Sequence, residues 1–215
     1  GAGIVGLAIG RSLSRHFGSI LMVEKNDSYG MEISSRNSEV VHSGIYYPPG
    51  SLKSSLCVEG RKLLYDYCID PDVKFDKCGK LIIQQPGDHM EQLVAVMNNA
   101  KNNGVSSRLI SREEFQEFNP DVEAENALHF PESGVVDVHG LMRQLACDNT
   151  DNDVDIVYKS AVTGINRILD GYCIEITDPS GEKSEITVNV VINSSGLNSY
   201  EISKLAGICD SDYEV

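Results

Sequence analysis

The chain is short of positive charge: 18 lysines and arginines face 32 aspartates and glutamates, for a net charge of −14. A polyanion is repelled by such a surface, which argues against nucleic-acid binding. An acidic ligand would need local positive charge in its own pocket. No apolar run approaches the length of a membrane span. None of the six cysteines (Cys57, Cys68, Cys78, Cys147, Cys173 and Cys209) forms a C-x-x-C pair, and no His/Cys cluster has zinc spacing. No metal site is expected, and buried reduced thiols in a reducing compartment are. Internal repeats and low-complexity stretches are also missing. So are an initiator methionine and a signal or transit segment, absences that say nothing about targeting in an internal piece.

What is present begins at the first residue. Gly1, Gly3 and Gly6 spell G-A-G-I-V-G, and an acidic residue, Glu24, follows eighteen residues after the last glycine. This is the dinucleotide-binding fingerprint. Gly1 allows a tight turn, Gly3 lets backbone approach a pyrophosphate, Gly6 allows close packing, and Glu24 accepts a ribose hydroxyl. The context agrees, with a helical pattern over residues 4–16 and a buried parallel strand over residues 19–23 that ends at Glu24. A helix N-terminus adds partial positive charge where phosphates would sit. The fingerprint also needs a strand before Gly1. The expectation is therefore an internal piece of a longer protein.

Further along, Leu52, Leu56, Leu63, Leu64 and Tyr67 have helical spacing and predict an amphipathic helix over residues 51–68. Residues 78–84 read as a strand and 88–103 as a helix stopped by Gly104. Ser111-Arg112-Glu113-Glu114 reads as a capping box, and 139–148 as a helix. From Val154 the pattern turns to strands, with a hairpin at Asp170-Gly171 and a turn at Ser180-Gly181. Val190-Val191-Ile192 predicts a short buried strand, and a last helix runs from near Ser199 to Gly207. The order describes an α/β nucleotide-binding domain over 1–45 and 137–215, interrupted by a mixed α+β segment over 46–136.

The stretch from Ser34 to Cys68 carries a resemblance. It contains N-S-E-V-V-H-S-G-I-Y-Y, then G-S-L-K, then a helix ending Y-D-Y-C. It resembles the L-2-hydroxyglutarate dehydrogenases and related FAD-dependent enzymes of the D-amino-acid-oxidase-like superfamily. Ser133-Gly134-Val135-Val136-Asp137 resembles that group's G-x-V-D element. Ala161-Val162-Thr163-Gly164-Ile165 resembles the strand whose backbone reads adenine, and Val191 to Leu197 resembles its flavin loop. Two departures stand out: Ser35 and Glu39 occupy positions where many members have glycine, and Ser194-Ser195 replace the usual small pair of the flavin loop.

The resemblance implies a glutathione-reductase-type FAD-binding fold and non-covalent FAD. It places Ser35, Arg36, Asn37 and Ser38 along the cofactor, Val162 at the adenine, and Ser195 and Gly196 near its phosphates or ribitol. His42 is the candidate base, since oxidising an alcohol requires removal of the hydroxyl proton and an imidazole titrates near neutrality. Lys53, with Tyr46 or Tyr47, is the candidate for meeting a substrate carboxylate. The implied reaction oxidises an L-2-hydroxy acid, foremost L-2-hydroxyglutarate, and passes electrons to a quinone or oxygen. The implied location is mitochondrial if the source is eukaryotic, and otherwise cytoplasmic or peripheral to a membrane. The competing readings are an amine, glycine or glycerol-3-phosphate oxidase of the same superfamily, and a nucleotide-binding module without turnover.

Overall fold

A computed structural model describes residues 1–69 and 73–208; Cys209 lies outside the described residues. In chain order the elements are α1 (Ile4–Leu13), β1 (Ile20–Val23), β2 (Val40–Val41), α2 (Leu52–Tyr67), β3 (Phe75–Asp76), β4 (Lys80–Gln84) and α3 (Met90–Asn102). There follow β5 (Arg108–Ser111), α4 (Arg112–Phe118), β6 (Asn126–Phe130), β7 (Gly134–Val136), α5 (Val138–Asp151) and β8 (Val154–Val157). The chain then continues through β9 (Ala161–Ile168), β10 (Gly171–Thr177), β11 (Lys183–Val188) and α6 (Ser199–Leu205). Two compact units result, one from residues 1–37 and 138–215 and the other from residues 38–137. The segment 38–45 belongs to the second because β2 pairs with β7, Val40 opposite Val135.

In the first unit β1 and β8 pair in parallel, Ile20 opposite Val154 through Val23 opposite Val157. Parallel neighbours need a crossover, and here the return runs through α5. Helices α1 and α5 pack where Gly10 leaves room for the fully buried Asn149. The Asn149 amide donates to the Leu7 and Leu145 carbonyls at 2.8 and 2.7 Å. Beyond β8, strands β9, β10 and β11 form an antiparallel meander with β10 in the middle. The expected hairpin is there, with Gly171 opposite Ile168.

The second unit holds two three-stranded antiparallel sheets, ordered β2-β7-β3 and β4-β6-β5. Strand β6 is buried on both faces, as alternation along a pleated strand allows. Leu128 and Phe130 join Ile45, Leu93 and Ala100 in one cluster, while Ala127 joins Ile110 and Phe115 in another. The Ser51 side chain caps α2 by accepting from the Ser54 N–H, and Ser111 caps α4 by accepting from the Glu114 N–H. Each satisfies a backbone donor that a helix start leaves free.

Two sequence expectations are corrected. Residues 190–192 form no strand, and Val190 and Ile192 are exposed. A strand exists only where a neighbouring backbone pairs with it, and none does among the described residues. The leucine face of α2 also points outward, with Leu52, Leu56 and Leu63 exposed and Ser54, Arg61 and Tyr65 buried. Directional polar bonds set this rotation. Arg61 forms an ion pair with Glu132, and the Tyr65 hydroxyl donates to the Glu132 carbonyl.

Two outcomes are expected. Asn149→Ala should destabilise the first unit by about 1–3 kcal/mol, the scale for losing a buried hydrogen-bonding group. A urea midpoint unchanged from wild type would contradict this. Burial pushes the Cys68 thiol up to about 11. The thiolate is the reactive form, so at about pH 8 Cys68 should resist alkylation until unfolding. The exposed Cys78 and Cys147 should be labelled first, and mass spectrometry of a timed labelling series reads the order.

Candidate functional site

The glycine loop of the first unit is held from three sides. Glu24, only 7% exposed, stands at the end of β1. Its Oε2 accepts the Ala2 N–H at 2.7 Å, while Oε1 accepts the Asn26 backbone and side-chain N–H groups at 2.9 Å. Ser34 Oγ accepts the Ile4 N–H at 3.0 Å, capping the first turn of α1. Ser194 Oγ donates to the Gly1 carbonyl at 3.0 Å. Glycine is required at two of the three motif positions by this packing alone. A Cβ on Gly6 would strike the Gly1 carbonyl oxygen, and one on Gly1 would lie 2.7 Å from the Ser194 carbonyl oxygen.

Gly3 is different. Its φ of −72° and ψ of 175° suit any residue. A Cβ there would meet only Ser34 Oγ, at 3.1 Å. A Cβ there would need the Ser34 hydroxyl that caps α1 to give by a few tenths of an ångström, and a phosphate group resting on the N-terminus of α1 would demand glycine more strictly.

The other residues expected along a cofactor are placed as follows. The Ser35 hydroxyl donates to the Glu32 carbonyl, Arg36 Nη1 to the Met31 carbonyl, and Asn37 Nδ2 to the Ser34 carbonyl. These three side chains brace their own loop. Ser38 is exposed and belongs to the second unit. Ser195 donates from both N–H and Oγ to Asn193 Oδ1. Gly196 opens a 3₁₀ turn at a φ of 57°. Val162 sits half-buried on β9, opposite Ile176. Ser34 and Ser194, which reach the glycine loop, were missed by sequence reasoning; a small hydroxyl residue just before each expected position was the available signal.

In the second unit, His42 follows β2 with an exposed side chain. Its carbonyl accepts the Cys57 thiol at 3.3 Å. The segment after it turns into a small recess lined by His42, Ser43, Tyr46, Tyr47, Lys80 and Ser133. Ser43 and Ser133 share a hydroxyl–hydroxyl hydrogen bond of 2.8 Å. Two amides, from Asn99 on α3 and Asn103 at its C-cap, clamp the same segment. Asn99 Nδ2 donates to the Ile45 and Tyr47 carbonyls, and Asn103 Nδ2 to the Gly44 and Tyr47 carbonyls, at 2.8–3.0 Å.

Each tyrosine of the segment carries a lysine. Lys53 Nζ lies 4.6 Å from the Tyr47 ring centroid, and Lys80 Nζ lies 4.8 Å from that of Tyr46. Both are within cation–π range. The structure thus brings His42, Tyr46 and Tyr47 together. Lys53 stands beside Tyr47 but does not line the recess; Lys80, which sequence reasoning missed, does. Glu39, just before β2, has a φ of 58°. That left-handed backbone explains why glycine suits this position in the resembled group.

Comparison with known proteins agrees with this geometry. The chain belongs to the FAD-dependent oxidoreductase (DAO) family, whose signature matches residues 1–211. It is 37% identical to human mitochondrial L-2-hydroxyglutarate dehydrogenase over 224 residues, 99% of this chain and 48% of that protein. With the mitochondrial enzyme of the same name from Arabidopsis thaliana it shares 43% over 146 residues, 67% of this chain and 30% of that one. The chain spans about half the length of the curated relatives it matches, or less. Among solved structures, the FAD-bound L-α-glycerophosphate oxidase of Mycoplasma pneumoniae superposes with a TM-score of 0.85 at 25% identity, covering 95% of this chain and 55% of that one. Glycine oxidase from Geobacillus kaustophilus has a TM-score of 0.85 at 18% identity, covering 97% of this chain and 57% of that one, a likeness of fold alone. The α/β FAD-binding fold expected from the sequence is therefore the one observed, and FAD is the cofactor of the family. The start of α1 at Gly3 fits such a group.

Gly6→Ala should lower the apoprotein's unfolding midpoint by the equivalent of about 1–3 kcal/mol, the usual cost of overpacking, and reduce FAD retention with it. Gly3→Ala should leave apoprotein stability within about 1 kcal/mol, the range for a change at a helix cap, yet weaken FAD binding. Thermal melts with and without FAD separate the two. Equal destabilisation of both apoproteins would contradict the assignment.

Proposed function

We propose that the protein containing this chain uses FAD to oxidise L-2-hydroxyglutarate to 2-oxoglutarate. The observation that carries the reading is the 37% identity to the human dehydrogenase along 99% of the chain. The recess, with an imidazole, two tyrosines and nearby ammonium groups, supports it. The recess itself has room for about one water molecule, so the support comes from the polar groups at its mouth and not from its volume.

Gly1, Gly3, Gly6 and Glu24 would hold the adenosine and pyrophosphate end of FAD. Ser35, Arg36, Asn37, Ser38, Val162, Ser195 and Gly196 complete the proposed cofactor set. Bound FAD supplies a hydride acceptor. His42 takes the hydroxyl proton of the substrate as the hydride leaves C2, so the alcohol becomes a ketone. Tyr46, Tyr47 and Lys53 bind the substrate, the lysine countering carboxylate charge. The hydride and the proton account for the two electrons and two hydrogens that the substrate loses. A quinone or oxygen would be the final electron acceptor. Eukaryotic relatives are named mitochondrial, which supports a mitochondrial location if the source is eukaryotic.

The test is anaerobic reduction of the full-length flavoprotein by a panel containing L-2-hydroxy acids, glycine and other amines, and glycerol 3-phosphate. Selective bleaching by L-2-hydroxyglutarate is expected. Bleaching by an amine or glycerol 3-phosphate instead would replace the reading with an oxidase of that kind, and no bleaching by any member would favour a non-catalytic module. His42→Ala should slow flavin reduction by about 10²–10⁴-fold, the range for losing a general base, with FAD content near wild type. Rescue by added imidazole would support the proton-acceptor role. A normal rate would remove His42 from the reaction.

A further inference from the structure

We propose that Lys80 is the cation that meets a substrate carboxylate at the mouth of the recess of the second unit. The inference rests on the reading of the substrate as a 2-hydroxy dicarboxylic acid. It adds a residue that neither the motifs nor the resemblance supplied.

Backbone geometry puts Lys80 where it is. Gly79 precedes it at a φ of 76°, and a Cβ there would lie 2.6 Å from His129 Nε2. The Gly79 N–H donates to the Ser133 carbonyl at 3.0 Å, and Lys80 pairs with Phe130 in the β4–β6 ladder. Ser133 in turn is hydrogen-bonded to Ser43, the neighbour of His42. The start of β4 and the His42 segment are therefore tied to one hydrogen-bonded frame, which fixes the base of the Lys80 side chain relative to that segment.

The ammonium group is available for a ligand. Lys80 is half-buried, and its Nζ rests over the Tyr46 ring. Seven ion pairs form among the described residues, and none involves Lys80. Acidic side chains outnumber basic ones 32 to 18 in this chain, so lysines have many candidate partners. A half-buried ammonium loses hydration, and a ring face compensates only part of that loss. A carboxylate arriving at the mouth of the recess would complete its solvation by a charge-assisted hydrogen bond. The platform under it is firm, because Asn99 and Asn103 hold the carbonyls on either side of Tyr46. Lys53 has a ring partner too, but it is exposed at the start of α2 and outside the recess.

The experiment compares full-length holoprotein with its Lys80→Met and Lys80→Arg forms. One readout is calorimetric binding of 2-oxoglutarate. The other is the dependence of anaerobic flavin reduction on L-2-hydroxyglutarate concentration. Lys80→Met should weaken 2-oxoglutarate binding about 10–100-fold, the equivalent of one hydrogen bond to a charged group. The half-saturating substrate concentration should rise by a similar factor, with the limiting reduction rate and FAD content nearly unchanged. Lys80→Arg should restore most of the affinity. Unchanged affinity in Lys80→Met, a fall confined to the limiting rate, or no recovery in Lys80→Arg would overturn the assignment while leaving the reaction intact. Wild-type protein that neither binds 2-oxoglutarate nor is reduced by L-2-hydroxyglutarate would overturn the substrate reading, and this inference with it.

Discussion

The buried carboxylate of Glu24 is the contact on which the first unit depends. It gathers three N–H donors, one from the glycine loop and two from Asn26. Its own backbone extends the pairing of β1 with β8, donating to the Val157 carbonyl and accepting from the Ser160 N–H. A single residue thus joins the start of α1 to the ends of both parallel strands. A charged acceptor with several N–H partners is a strong junction, and burial makes each partner obligatory. The ribose contact expected of Glu24 would use the acceptor capacity that remains. Its removal would therefore loosen the protein loop as well as the cofactor.

The second unit solves a comparable problem with neutral groups. The segment from Gly44 to Tyr47 has no sheet partner for its carbonyls among the described residues, so two asparagine amides, one on α3 and one at its C-cap, supply the donors. They stand four residues apart and hence on one face of the helix. Ile45 anchors the same segment in the core while Tyr46 stays exposed. Packing on one side and amide donors on the other hold the tyrosines and their lysines at the recess. Buried polar clusters of this kind have a definite geometry only when their members find partners.

The glycine motif, the helix after it, the strand ending at Glu24, the Ser111 helix cap and the Asp170-Gly171 hairpin were legible because each rests on local chemistry. A cap or tight turn requires particular residue types within four positions. His42, Tyr46 and Tyr47 were legible as a group because they are close in sequence. Ser34, Ser194, Asn99, Asn103 and Lys80 were not. Their partners lie 30 or more residues away, except for a local spacing that looks like any polar helix face. The outward leucines of α2 were misread for the same reason. Periodicity says that a helix has two faces, but the Arg61–Glu132 ion pair and the Tyr65 hydroxyl decide which one turns inward.

Read alone, the residues from Gly1 to Glu24 point to the glycine loop, helix and strand of a nucleotide-binding domain, and the Ser34–Cys68 stretch points to the family. The second follows from a run of side chains consecutive in the chain; the first rests on glycines that leave no room for a Cβ, Gly6 against the nearby Gly1 carbonyl and Gly1 against the distant Ser194 carbonyl. Tertiary structure decided which serines hold the glycine loop, that residues 190–192 find no strand partner among the described residues, and that Lys80 rather than Lys53 lines the recess. Those outcomes depend on contacts between segments far apart in sequence. Hydrogen-bond direction and the exclusion of a Cβ select one arrangement among many that composition and spacing allow.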